Sequence, residues 1–503
     1  MRCFWDVWKY IHFSFSSWSS GDDKKISMAL SEFLFEKMTG KLGFEPTVCQ
    51  QSLFRDLSEF VLIGESSSSH IKRLMVINGY AGTGKTSSIA ALVSVLKEFG
   101  RNVILMAPTG RAAKVLSGYT GANAFTIHKQ IYRQRSMRDG LGLFTLNVNL
   151  NKETIYIVDE ASLISNSGID STFGSGHLLD DLVEYVYSND SNKLILVGDS
   201  AQLPPVGLAV SDALDPQFMG SYGNVVYSQL RSVVRQAKTS GILHNATILR
   251  EMIEKGEVNF PKFELGNFDD IFRIGGADLI EELNSAFEKE GADNTLVLCR
   301  SNKRANRYNK GIRASILFRE ERLCRGDKVM VVKNCYQFLD DVEEIGFIAN
   351  GDVAELLKIS NYEDRYGLTF ADAVLRFMDY NDIEIKAKII LDTLESESAS
   401  LGSEQQKKLF ADIMEDYSHI KTKRKRIAAV REDKYFNALQ IKFASAITCH
   451  KSQGGQWNTI FIDNPFWGQD ISADDLKWLY TAITRATGKI FFVNFDNKFF
   501  SNN

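Results

Sequence analysis

The sequence predicts an α/β fold built on parallel sheets, and three observations carry that expectation. From Leu74 onward, short apolar runs alternate with helix-length amphipathic stretches, the rhythm of βαβ units. The rhythm starts afresh near Val225, so a second α/β layer is expected after the first. Between about 326 and 440 it gives way to short runs separated by Gly and Asn turns, the mark of a β-rich insertion.

At 503 residues the chain has room for about three compact units. Its 44% hydrophobic and 24% charged residues, with 36 Gly and 7 Pro, exclude disordered, collagenous and coiled-coil classes. The formal charge of -4, from 59 basic and 63 acidic residues, excludes a globally basic nucleic-acid coat but leaves room for a local basic groove. No run approaches the roughly 18 uncharged apolar residues of a membrane span. Cys3, Cys49, Cys299, Cys324, Cys335 and Cys449 contain no CxxC pair, so neither a zinc cluster nor a disulfide framework is signalled. A reducing cytoplasm is the expected compartment. Residues 1–20 are aromatic-rich but are interrupted by Asp6 and Lys9, which reads as a non-secretory extension.

In the first layer, strands are expected at 74–78, 103–107, 154–158 and 193–197, separated by helices at 86–99, 110–119 and 177–188. In the second, helices are expected at about 241–255, 277–290 and 303–318, and strands at 295–299, 444–449, 459–463 and 489–494. The resulting division is an extension over 1–44, a first domain over 45–210, a second over 211–335 and 441–503, and the insertion over 336–440. The serine stretch 64–70, the segment 395–403 and the basic run 421–426 (KTKRKR) read as solvated connectors, with a nucleic-acid contact as the other reading of the basic run.

The octapeptide Gly79–Thr86, GYAGTGKT, matches the phosphate-loop pattern and stands between an expected strand and an expected helix. Gly79, Gly82 and Gly84, with Thr83 among them, let backbone N–H groups curl round a polyphosphate at a helix N-terminus, where the dipole favours anions. Lys85 supplies a point charge for the β- and γ-phosphates and the Thr86 hydroxyl a ligand for Mg²⁺, so ATP and Mg²⁺ are the expected cofactors. Asp159 and Glu160 close the apolar run IYIVDE, placing two carboxylates at the C-terminal tip of a core strand, where α/β folds bind ligands. Asp159 is expected to hold Mg²⁺ and Glu160 to act as general base toward the attacking water. A third strand end, LILVGDSAQLPPVG over 194–207, offers Gln202 to both the γ-phosphate and that water, on a turn stiffened by Pro204 and Pro205.

In chain order, GYAGTGKT, APTGRAAK (107–114), TIHK (126–129), DEAS (159–162), GDSAQLPPVG, LRSVVRQ (230–236), AITCHKSQG (446–454) and YTAITRA (480–486) together resemble superfamily 1 helicases, specifically the Dda- and RecD-like branch. The resemblance spans about 45–495. It implies two RecA-like motor domains with a wedge hairpin at about 133–151 and a β-barrel-like insertion in the second. The implied activity is an ATP-dependent DNA helicase, a hydrolase that moves 5′ to 3′ on single-stranded DNA and unwinds tailed duplex DNA. A monomer is expected, with replication or recombination proteins as further partners and no membrane. The alternative is a RecD-like motor subunit that does not unwind alone; a switch or kinase sharing only the phosphate loop is the more distant rival.

The resemblance also implies residue roles. Gln50 matches the glutamine that reads the adenine edge, with Gln51 as the other register. Arg235 and Arg485 match two arginine fingers of the second motor domain, and Gly454 a glycine whose backbone approaches the nucleotide from the same side. Pro108, Thr109, Thr126, His128, Lys129, His450 and Lys451 match a single-strand channel; His128 and His450 also read as packed structural histidines. Phe144 is the candidate for the stacking tip of the wedge, or else packs inward. Residues 300–333 hold 11 Lys or Arg against 3 Asp or Glu, which suggests a basic wall beside the strand.

Overall fold

The computed structural model describes residues 20–62, 72–134, 144–166, 173–234, 239–266, 268–339, 347–468 and 470–501. Helices α1 (Ser20–Lys41) and α2 (Val48–Leu62) lead into β1 (Arg73–Gly79), α3 (Lys85–Glu98), β2 (Asn102–Ala107), α4 (Gly110–Thr120) and β3 (Ala124–Thr126). The short α5 (Ile127–Ile131), the antiparallel pair β4 (Tyr132–Gln134) and β5 (Phe144–Leu146), β6 (Thr154–Val158), α6 (Leu178–Val186), β7 (Lys193–Gly198), α7 (Pro216–Gly220) and β8 (Asn224–Leu230) follow. Six strands form one parallel sheet in the order β3-β2-β6-β7-β1-β8. Its central strand β6 is buried at every position because helices cover both faces, which is why it reads as an unbroken apolar run.

Two domain boundaries move. Leu34 and Met38 of α1 are buried with Leu53, Phe54 and Leu92 of α2 and α3, so part of the segment 1–44 belongs to the first lobe. Strand β8 pairs with β1 from Arg73–Asn224 to Gly79–Leu230, so the first lobe runs past 210 to Leu230. Being an edge strand with alternating burial, β8 lacks the apolar run that betrays a central strand.

The second lobe holds α8 (Gly241–Lys255), β9 (Ile271–Ile274), α9 (Leu279–Glu290), β10 (Thr295–Cys299) and α10 (Asn302–Ser315). The chain then makes the barrel strands β11 (Lys328–Val331), β12 (Val353–Arg365), β13 (Leu368–Phe377), β14 (Ile383–Ile390) and β15 (Leu439–Phe443), with helices α11 (Ser403–Asp416) and α12 (Lys423–Glu432) between β14 and β15. It returns as β16 (Ala446–Thr448), β17 (Trp457–Asp463), α13 (Ala473–Ile483) and β18 (Ala486–Val493), giving a parallel sheet ordered β16-β10-β17-β18-β9.

The barrel is closed by β11–β15 pairing and starts at Lys328, within the β-rich span expected from about 326 and ahead of the domain boundary set at 336. Its β13 runs between two neighbours. At one end Leu368 and Phe370 pack with Leu409, Ile413 and Val430 of α11 and α12. At the other, the turn Met378–Tyr380 meets α4 of the first lobe, where Lys114 Nζ donates to the Met378 carbonyl at 2.6 Å. Part of the expected connector 421–426 is therefore helical, since Lys423–Arg426 form the first turns of α12. Among the described residues no helix is long and apolar enough to cross a membrane.

Candidate nucleotide cleft and nucleic-acid interface

The phosphate loop leaves β1 at Gly79 and enters α3 at Lys85. Gly84 adopts φ +82°, and a Cβ there would lie 2.5 Å from Gln50 Nε2, so glycine is required by both backbone and neighbour. The two adjacent glutamines differ in placement: Gln50 is fully buried against the loop, whereas Gln51 turns to the Pro46 carbonyl at 3.2 Å. Gln50 Oε1 accepts from Thr47 N–H at 3.0 Å, while its Nε2 has no hydrogen-bond partner among the described residues. A buried amide donor left in this way suits a purine acceptor.

Lys85 Nζ donates to the loop carbonyls of Gly79 and of Tyr80, the latter at 3.1 Å, and lies 3.7 Å from Asp199 Oδ2. Asp199, 1% exposed, ends β7 much as Asp159 ends β6, and the sequence reading passed over it. Asp159 accepts from Glu160 N–H at 2.9 Å, and Glu160 is held in the left-handed region at φ +54°. Burial, and then the charge of Glu160, push the Asp159 carboxyl up to about 6. A divalent cation would offset both causes, so Asp159 and the half-buried Thr86 form a fitting donor pair for Mg²⁺. Gln202 is 5% exposed, with its Oε1 unpartnered among the described residues.

The second lobe completes the cleft. Arg485, 3% exposed, is held by the carbonyls of Thr481 and Gly455, each at 3.2 Å, with Nη1 3.9 Å from Glu160 Oε1. Tyr480, from the same helix end, accepts from Ala81 N–H of the phosphate loop and donates to Asp199. The turn carrying Gln202 is stitched across as well: Leu203 N–H donates to Thr481 Oγ1 at 2.8 Å and Gln453 Nε2 donates to the Leu203 carbonyl at 2.7 Å. Gly454, at φ +75°, meets the first lobe at α4, where a Cβ would lie 3.0 Å from Thr109 Oγ1 and from Ala112 Cβ. Arg235 lies outside the described residues.

The candidate strand-contacting residues divide. Thr109 caps α4 and Thr126 caps α5, each hydroxyl accepting a backbone N–H at 3.2 Å, so both have local structural work. Pro108 and Lys129 are half-buried beside them. The His128 ring sits in an aromatic cluster, 4.7 Å from Phe173 and 5.9 Å from Phe347. His450 is exposed on the turn Cys449–Ser452, and next to it burial, then Lys442, lower the Lys451 ammonium to about 8.

Two expectations are corrected. Phe144 is no exposed tip: it opens β5, is 6% exposed and packs 4.8 Å from Phe173 and 5.0 Å from Tyr336, because the hairpin base needs an apolar anchor. The hairpin turn, 135–143, lies outside the described residues. The basic wall is largely neutralised, since Arg300, Lys303, Arg304, Arg313, Arg322 and Lys328 pair with Asp475, Glu397, Asp463, Asp327, Asp392 and Asp293.

Two parallel sheets closing over a phosphate loop, with an arginine delivered from the far sheet to the strand-end carboxylates, define a two-lobed P-loop protein. Residues 65–253 match the family model of an AAA domain, and residues 443–493 that of a UvrD-like helicase C-terminal domain. The ATP-dependent RecD2 DNA helicase of Deinococcus radiodurans is 32% identical over 135 residues, 27% of this chain and 16% of that protein. An uncharacterized protein of Methanocaldococcus jannaschii is 24% identical over 465 residues, 84% of this chain and 36% of that protein. The chain thus spans well under half the length of these two relatives. The ATP-dependent DNA helicase dda of Enterobacteria phage T4 is 25% identical over 455 residues, 84% of this chain and 94% of that protein. Among solved structures, Pif1 helicase from Bacteroides in complex with ADP-AlF3 and ssDNA aligns over 92% of this chain and 95% of that chain, at 15% identity and a TM-score of 0.44. With an AAA domain followed by a UvrD-like helicase C-terminal domain, and with its likeness to RecD2 and dda, the chain is similar to superfamily 1 helicases of the Dda- and RecD-like branch.

Proposed function

We propose that this protein hydrolyses Mg²⁺-bound ATP in the cleft between its lobes, steps 5′ to 3′ along single-stranded DNA, and thereby unwinds tailed duplex DNA as a monomer. The observation that carries the reading is the approach of Arg485 to Glu160 at 3.9 Å, which makes the reacting centre a product of two lobes. Because each lobe supplies half of the site, turnover depends on their closure, and closure moves one lobe relative to the other.

The roles follow from position. Gln50 reads the base, the loop from Gly79 to Thr86 cradles the phosphates, and Thr86 with Asp159 would hold Mg²⁺. When bound, that ion would draw off charge from the phosphate oxygens. Glu160 takes the proton of the attacking water, Gln202 orients that water, and Lys85 with Arg485 offsets charge growing on the transferred group. On the strand side, Pro108, Thr109, Lys129, His450 and Lys451 flank the lobe boundary, where backbone contact without base readout is expected.

A strand-displacement assay on duplexes with a 5′ or a 3′ tail tests the reading. Unwinding of the 5′-tailed duplex, with hydrolysis accelerated by single strand, is the expected result; inactivity on both tails together with strand-insensitive hydrolysis overturns it.

A further inference from the structure

We propose that the exposed basic end of α12 contacts the phosphate backbone of double-stranded DNA lying ahead of the β4–β5 hairpin, an inference that rests on the helicase reading above. Lys421, Lys423, Arg424 and Lys425 are all exposed, and none has a hydrogen-bond or ion-pair partner among the described residues. This sets them apart from the cations of 300–333, most of which are met by carboxylates. No Asp or Glu occurs between Asp416 and Glu432 to neutralise them locally. The fifth cation of the run, Arg426, is already used, donating to the carbonyls of Ser418 and Ile420 at 3.1 and 3.0 Å.

Local folding does not account for the other four. Cations at a helix N-terminal end oppose the helix dipole, and Thr422 provides no side-chain cap there. An external polyanion would account for both features.

Position selects which polyanion. The C-terminal end of α12 is tied to the hairpin, since Gln337 Nε2 donates to the Arg431 carbonyl at 3.3 Å and the neighbouring Tyr336 ring packs 5.0 Å from Phe144. The ten residues of α12 span about 15 Å, so its basic end lies about one helix length from Arg431, a reach of about four or five base pairs. By contrast, the ten residues of β13, about 30 Å, separate this end of the barrel from the turn that meets α4 beside the cleft. The part of a single strand that lies beside α4 is therefore remote from α12, whereas a duplex held ahead of the hairpin passes close to it.

The test uses the full chain and the triple variant Lys423→Gln, Arg424→Gln, Lys425→Gln. Binding to a 5′-tailed duplex and to the same single strand without its complement is measured across a salt series, with strand-stimulated hydrolysis as the check on folding. The salt slope for the tailed duplex is expected to fall by about two to three in the variant, at about 0.9 per lost phosphate contact, with the single-strand slope unchanged. Lys423→Gln alone should lower it by about one. An unchanged duplex slope overturns the proposal and leaves an acidic protein surface as the partner. An equal fall on both DNAs overturns it by placing α12 on the single-strand path. A wild-type chain that neither binds single strand nor responds to it in hydrolysis brings down the helicase reading, and this inference with it.

Discussion

Tyr480 and Asp199, 281 residues apart in the chain, share a 2.8 Å hydrogen bond across the lobe boundary, donated by the Tyr480 hydroxyl to Oδ2. The same hydroxyl accepts from Ala81 N–H at 2.8 Å, and Asp199 lies 3.7 Å from Lys85 Nζ. One buried side chain of the second lobe therefore positions both the phosphate loop and the carboxylate facing its lysine.

Tyr480→Phe keeps the ring and removes both hydrogen bonds. A bond to a charged group is worth about 1.5–3 kcal/mol, so kcat for strand-stimulated hydrolysis is expected to fall by about tenfold or more, with a smaller change in KM for ATP. Steady-state kinetics check the split. A wild-type kcat would reduce Tyr480 to packing.

Gln50→Ala removes the buried amide that touches the phosphate loop beside Gly84. KM for ATP should rise by about tenfold and the preference for ATP over GTP should narrow, because loss of one well-placed hydrogen bond costs on the order of 1–1.5 kcal/mol. Gln51→Ala should do neither, since that side chain bonds to Pro46. Hydrolysis assays with both nucleotides read the difference; a matched loss in the two variants would dissolve the assignment.

What the sequence disclosed followed how local each signal is. Helix α8 begins and ends at the expected 241 and 255 because Ser240 caps it and Gly256 closes it at φ +68°. The phosphate loop and the Asp159–Glu160 pair are contiguous, so their chemistry is written in a few adjacent residues. Strand β9 is only four residues, IFRI, too short to show a period. Asp199 carried the same signal as Asp159, an acid closing an apolar run, yet was eclipsed by Gln202 in the same turn. Tyr480 looks like any core aromatic until the two lobes are set side by side. The basic wall misled because its neutralising partners Asp463 and Asp475 arrive from more than 150 residues away, at 159 and 175 positions' remove.

Arg485→Ala should leave nucleotide binding nearly intact while lowering kcat by about 10³-fold, the scale of a lost arginine finger. Lys85→Ala should abolish hydrolysis outright. Arg485→Lys should not rescue, because the native guanidinium spends Nε on the Thr481 carbonyl while Nη1 meets the Gly455 carbonyl and faces Glu160, a planar fork that an ammonium does not reproduce. Equilibrium binding of a fluorescent ATP analogue beside single-turnover hydrolysis separates the two effects; near-normal turnover of the alanine variant would refute the role.

Asp352 ties the barrel to its own 3-10 turn, accepting from Ala349 N–H at 2.7 Å and from the Tyr380 hydroxyl at 3.0 Å. Burial first, and then the charge of Asp379, push its carboxyl up to about 7 against the lowering effect of those two bonds. Below about pH 4 both folded and unfolded chains carry the proton, and above about pH 7 neither does. In between the folded chain holds a proton that the unfolded one has released, so this group's contribution to stability declines as pH rises, by about 1.4 kcal/mol per unit. Asp352→Asn removes the titration while retaining one acceptor. Melting temperatures across that window should therefore decline less with pH in the variant than in the wild type, by about 1 °C per unit for a chain of 503 residues. Parallel curves for the two proteins would show that Asp352 is ionised in both states.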